Sequence, residues 1–172
     1  MLIEDLRYFA LKHLRYEKQF PIVGMEVDWS PGVGYVMADV MGISKNGLLY
    51  EIEIKVSLGD LYADAGKERK HECLSKTFQR QAPTNCQEDP FSNLWRVPAR
   101  FYYLVPGSIA AAAQKHIKES VPYAGLMVYS LGLGVRKFAP KLHSQIVPND
   151  EQWAFVRAQS ATLVRLAGRL RK

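Results

Sequence analysis

Residues 48–56, Leu-Leu-Tyr-Glu-Ile-Glu-Ile-Lys-Val, alternate polar and apolar side chains over the length of a strand, directly after the Asn46-Gly47 pair that tight hairpin turns favour. A period of two puts Glu51, Glu53 and Lys55 on one face and Tyr50, Ile52, Ile54 and Val56 on the other. Ahead of the turn, residues 35–43 read as the antiparallel partner strand and carry one carboxylate, Asp39, among apolar neighbours. The pattern predicts that Ile52 and Ile54 are buried and that Glu51 is more exposed than Glu53. A buried, unpartnered carboxylate is costly, so Asp39 needs a cation, a hydrogen-bond network or a metal. If the hairpin brings Asp39 beside Glu53 and Lys55, two carboxylates and an ammonium converge, and such hard oxygen ligands suit Mg2+ or Mn2+. The plainer alternative is a solvated, charged strand face.

The remaining punctuation orders the chain. Apolar residues at helical spacing and the acidic pair Glu4 and Asp5 predict a helix over about residues 2–17. A short strand follows Pro21, residues 30–34 form a turn, and after the hairpin a charge-rich helical stretch begins at Leu58. Ser57 and Asp60 read as its cap. Residues 79–99 carry three prolines and no periodicity, which predicts a long loop. A strand at 100–106, a helix at 107–120, two strands around Gly132 and Gly134, and a helix over about residues 150–170 complete the order. The last helix shows an apolar stripe of Trp153, Val156, Leu163, Ala167 and Leu170, with Arg157, Arg165 and Arg169 on another face.

With 172 residues, 48% of them hydrophobic, the chain is sized for one α/β (α+β) domain spanning residues 1–172. A net charge of +6 makes a polyanion the natural partner. No segment has the pattern of a signal peptide and no apolar run is long enough to span a bilayer, so a soluble, cytoplasmic protein without a membrane partner is expected. Cys73 and Cys86 fit reduced thiols, and with His71 and His116 they lack zinc-finger spacing.

The arrangement of Asp39 followed by Glu53-Ile54-Lys55, after one helix and one strand, resembles the signature of the PD-(D/E)XK nuclease superfamily. Ala38 stands where the superfamily's name has proline. A closer resemblance covers about residues 34–143: Glu53-Ile54-Lys55-Val56-Ser57, Asp60, Lys67-Glu68-Arg69-Lys70-His71 and Phe101-Tyr102-Tyr103-Leu104-Val105-Pro106 are similar to segments of small prokaryotic and phage-associated members of that superfamily, the MmcB-like DNA-repair proteins among them. The 79–99 loop looks like an insertion in that pattern. The resemblance implies a restriction-endonuclease-like core, a mixed sheet flanked by helices in the order α-β-β-β-α-β-α-β-β-α. It further implies a Mg2+- or Mn2+-dependent nuclease acting on DNA in repair, recombination or phage DNA processing. The runner-up is an accessory module that keeps the fold, binds nucleic acid and cleaves slowly or not at all.

In the nuclease reading Asp39 and Glu53 hold the cation with the main-chain carbonyl of Ile54. Lys55 orients or helps deprotonate the metal-bound water and offsets charge in the transition state. Lys67, Lys70 and His71, one turn apart on the following helix, are the expected phosphate contacts, joined by Arg157, Arg165 and Arg169 on the final helix.

Overall fold

A computed structural model describes residues 3–27, 38–79 and 94–169. The turn expected at 30–34, the start of the second expected strand, Cys86, most of the 79–99 loop and Leu170 lie outside the described residues, as do the side chains of Arg69 and Arg169.

α1 (Ile3–Lys12) opens with Glu4 and Asp5 in its first turn and runs on into a π-helical turn, His13–Glu17, closed by Lys18 N–H on the His13 carbonyl at 2.9 Å. β1 (Ile22–Val27), β2 (Ala38–Ile43) and β3 (Leu49–Ile54) form an antiparallel meander. β4 (Arg100–Pro106) joins β3 in parallel, β5 (Ala124–Tyr129) joins β4 in parallel, and β6 (Leu133–Lys137) closes the sheet antiparallel to β5. The six strands stand side by side in chain order. α2 (Leu58–Ala63) and α3 (Glu68–Gln79) carry the chain from β3 to β4, and α4 (Ala110–Glu119) carries it from β4 to β5.

Both parallel connections cover one sheet face, where Leu61, Leu74, Ala113 and Ile117 pack on Phe101, Tyr103, Val105 and Leu126. α1 and its π-helical turn cover the other, packing Leu6 and Ala10 of the helix and Leu14 of the turn on Val40, Ile52, Ile54 and Leu104. Ile52 and Ile54 are buried as the alternation predicts. The result is a mixed α/β architecture, a six-stranded mixed sheet flanked by helices.

Four details depart from the sequence reading. The β2–β3 turn is a three-residue loop, Lys45-Asn46-Gly47, closed by Ser44 N–H on the Leu48 carbonyl at 2.9 Å, and its one positive φ is the +74° of Gly47. A type I turn ending in a left-handed glycine needs only that one residue, where the tight two-residue type I′ turn that an Asn-Gly pair suits needs two. The single helix expected after Ser57 is two, broken by a 3-10 turn at Asp64–Gly66 where Asp64 turns inward. Ser57 does cap α2, its hydroxyl accepting from Asp60 N–H at 3.1 Å.

The stripe expected on α5 (Asn149–Arg169) is not the face it buries: Trp153 and Leu163 are 65% and 63% exposed, while Phe155 is fully buried with Ala154 and Ala158 beside it. Small residues let the helix come close to the edge strand, and Gln159 completes that approach. Its side-chain oxygen accepts from Met25 N–H at 3.1 Å and its amide donates to Met25 O at 3.3 Å, covering the open edge of β1 as a strand would. Gly24 makes room for it, since a Cβ there would lie 2.1 Å from the Gln159 side chain. Finally, Glu51 is 0% exposed and Glu53 3%, against the expected order, because the charged face of β3 is not solvated but roofed by α3.

A lysine–carboxylate cage as the candidate functional site

Period two places Glu51, Glu53 and Lys55 side by side, and the parallel register sets Phe101 opposite Glu51 and Tyr103 opposite Glu53. Lys67, just ahead of α3, and Lys70 and His71 in its first turn bring their side chains down onto this row. Lys70 Nζ pairs with Glu51, lies 3.0 Å from Glu53 Oε2 and sits 4.7 Å above the Phe101 ring centroid. Glu53 Oε1 takes Lys55 Nζ at 3.1 Å and also Lys67 Nζ. Asp64 Oδ1 lies in ion-pair contact 2.7 Å from Lys55 Nζ and 3.0 Å from Lys67 Nζ, and its Oδ2 accepts from Tyr103 O–H at 2.7 Å and faces His71 Nε2 at 3.0 Å. Because a carboxylate only accepts, His71 donates from Nε2, and its Nδ1, 2.8 Å from Tyr123 Oη, is left to accept the phenol proton.

The charges are buried yet matched. Burial alone would push the carboxyl of Asp64 up, but His71, Lys55, Tyr103 and Lys70 outweigh it and hold that acid well below the usual carboxylate range. Glu53 is likewise held low against its burial by Lys70, Lys67 and Lys55. Glu51 is different: burial dominates and raises it. Desolvation opposes the ammonium forms of Lys70 and Lys55, yet their carboxylate neighbours keep both above the ordinary lysine value. Burial and Asp64 push the Tyr123 phenol up to about 12. Lys55 is therefore held charged, a state suited to electrostatic stabilisation and not to taking a proton.

Asp39 lies elsewhere. The β2–β3 pairing ends at Val40–Ile52, and beyond it Ala38 packs with Met41 and Phe155 although Val40, two residues on, packs under α1, so the strand turns over at Asp39. Past the last β2–β3 pair, where β2 is still paired to β1 through Val27–Ala38, the Asp39 carboxylate accepts Ile54 N–H at 2.9 Å and pairs with Arg7 at 3.0 Å. Arg7 also holds Glu26 at 2.7 Å, and Glu26 has a left-handed φ of +46° in β1, a strained backbone at the point where its strand faces Asp39. Burial opposes the Arg7 charge, but Asp39, Glu4 and Glu26 keep it firmly protonated.

The structure thus gathers Glu53, Lys55, Lys67, Lys70 and His71 and leaves Asp39 in a second cluster with no partner in common with Glu53. As they stand, Asp39, Glu53 and Ile54 do not fit a divalent cation. The oxygens of Glu53 are taken by ammonium groups, those of Asp39 by a guanidinium and the Ile54 amide, and among the described residues no group of three or more His, Cys, Asp and Glu is placed to hold a metal.

The expected phosphate contacts are also redistributed. Lys70 is 4% exposed and occupied, so it does not face a DNA backbone, and the His71 ring is committed to Asp64 and Tyr123. Lys67 keeps 24% of its side chain exposed. Arg157 is exposed, and Arg165 reaches Glu26 at 3.2 Å, bordering the Arg7 cluster and not the cage. Arg169 ends α5.

Glu51, Asp64, Tyr103, Tyr123 and Arg7 escaped the sequence reading as site residues. Asp64, three before Lys67 and seven before His71, and Tyr103, in an aromatic strand, were the available signals.

No protein-family model matches this chain, and no curated protein matches it. Among solved structures it is similar to SPO1766, a protein of unknown function from Silicibacter pomeroyi, with a TM-score of 0.57 at 19% identity over 97% of this chain and 89% of that one. The likeness is one of fold. No helix among the described residues is long and apolar enough to cross a membrane.

Proposed function

We propose that the chain is a nuclease-like DNA-binding domain, with a restriction-endonuclease-like core, that serves DNA repair, recombination or phage DNA processing and cleaves slowly or not at all. One observation carries this reading: both carboxylate oxygens of Glu53 are held by lysine ammonium groups, two of them on side chains only 6% and 3% exposed. A divalent cation would need those oxygens, and Lys70 has no solvent into which to withdraw. The succession of a helix, three antiparallel strands, a helical connection and a further strand, here parallel to the third, supports this reading. The charge of +6 supports a polyanionic partner.

A Mg2+- or Mn2+-dependent nuclease is the second reading. It is favoured by the Asp39 carboxylate, which lies 2.9 Å from the backbone of Ile54, the residue between Glu53 and Lys55.

Of the lysines around Glu53, Lys67 is the one that reaches solvent, so it is where a phosphodiester meets the cage. Lys67→Ala should weaken DNA binding about equally across sequences and lower the log–log salt slope by about one unit, the loss of one phosphate contact. Fluorescence anisotropy over a KCl series checks this. An unchanged slope, or no DNA binding by the wild type, would remove the cage from the binding surface.

A further inference from the structure

On the sheet face opposite the cage, the π-helical turn that follows α1 borders a cavity of about 330 Å3. Its walls are aromatic. Phe20 and Tyr50 meet edge to face with centroids 4.8 Å apart, Tyr102 lines the same space, and Phe138, 72% exposed, stands at the mouth. Two cations join them, Lys18 and Arg100. The guanidinium of Arg100 is fixed by the Ala139 carbonyl, while Lys18 is exposed and makes no ion pair among the described residues.

The polar group that gives this cavity a chemistry is His13. Its ring is 5% exposed, its Nδ1 lies 2.7 Å from Glu17 Oε2, and its Nε2 is buried with no hydrogen-bond partner. Glu17 can only accept, so Nδ1 carries the hydrogen, and the ring in its neutral form presents a bare acceptor at Nε2. A buried acceptor without a donor calls for an explanation, and this one belongs to a residue that lines an open cavity. It also stands in a π-helical turn, a departure from α-geometry that recurs at functional sites.

The geometry points to a binding site for one nucleotide unit: a flat heteroaromatic ring that stacks on the aromatic walls, offers an N–H to His13 Nε2, and bears a phosphate that meets Lys18 and Arg100. Stacking accepts any base, whereas the acceptor requires a ring with a donor on its edge. The cavity is of the size small-ligand sites have. It shares no residue with the cage, so the assignment goes beyond the DNA-binding reading and does not depend on it. The unit can be a free nucleoside monophosphate or a nucleotide of a single strand, since both present the same ring and phosphate.

Calorimetric titration of the full chain with dAMP, deoxyadenosine, ribose 5-phosphate and benzoate, together with the 15N resonance of His13 Nε2, tests this. dAMP should bind most tightly and shift the Nε2 resonance. Phe138→Ala, at an exposed position, should weaken dAMP and deoxyadenosine alike by about tenfold. Lys18→Ala should weaken dAMP by about three- to tenfold and leave deoxyadenosine unchanged. Competition by a short single-stranded oligonucleotide would assign the site to a strand, and its absence to the free nucleotide. Equal binding of ribose 5-phosphate, equal binding of benzoate, or no nucleotide binding at millimolar concentration would each overturn the assignment.

Discussion

Lys70→Ala should lower the free energy of unfolding by about 3–5 kcal/mol, the loss expected when one partner of a buried ion-pair network is removed. The Lys70 side chain is 3% exposed, and its ammonium is shared between Glu51 and Glu53 above the face of Phe101. Truncation leaves Glu51, already raised by burial, with no cation bonded to it, whereas Glu53 keeps Lys55 and Lys67. At about 2–4 °C per kcal/mol for a domain of this size, the melting temperature should fall by about 6–20 °C. Urea unfolding of the variant beside Lys70→Met/Glu51→Gln separates mechanism from packing: the double variant, which removes a charge of each sign, should recover part of the loss. A loss under about 1 kcal/mol for Lys70→Ala would place that ammonium in solvent.

The same network predicts how stability responds to pH. The carboxyl of Asp64 is held well below its ordinary 3.8, so the native state binds fewer protons than the unfolded chain, and the stability it contributes is in place above about pH 4 and lost as pH falls towards the folded value. Glu53 acts in the same direction. Glu51, raised above 4.5, acts in the opposite one: its buried charge costs stability at neutral pH, and protonating it returns part of that as the solution is acidified. Lys70 and Lys55 are held above 10.5, so their contribution is in place below that pH and lost as pH rises through their folded values. Asp64→Asn should cost about 3 kcal/mol at pH 7 and flatten the acid limb, because the amide still accepts from Tyr103 but offers Lys55 and Lys67 no charge. Melting temperatures of both proteins from pH 3 to pH 7 check this, and parallel acid limbs would contradict it.

The hairpin, the strand positions and the helix starts were legible because they rest on local signals, such as the alternation in 48–56, Gly47 at the turn and Ser57 at a helix start; that β4 and β5 join the sheet in parallel was not. What covers each face is a tertiary matter. Nothing within Glu51-Ile52-Glu53 says that a lysine nineteen residues beyond Glu51 will roof that face, so a charged strand face reads as solvated although it is buried. Glu53, Lys55, Lys67, Lys70 and His71 were found as candidates, but with the opposite electrostatics: a row of lysines near two carboxylates reads as a phosphate track from sequence and closes into ion pairs in three dimensions. Asp39 escaped its expected place because the β2–β3 pairing that would set it beside Glu53 ends at Val40–Ile52, although β2 runs on beside β1 as far as Ala38. The buried face of α5 was missed because the stripe left out Phe155, which the fold buries with Ala154 and Ala158 beside it.

Titration with Mn2+, followed by electron paramagnetic resonance and paired with a plasmid and oligonucleotide cleavage assay against EDTA, tests most directly whether the lysines keep Glu53 from a metal. The structure predicts no saturable Mn2+ site at submillimolar concentration and no metal-dependent cleavage above that of Asp39→Ala and Lys55→Ala, with DNA binding retained. A saturable site lost in both Asp39→Ala and Glu53→Gln, accompanied by cleavage that those variants and Lys55→Ala abolish, would contradict it and establish the nuclease reading.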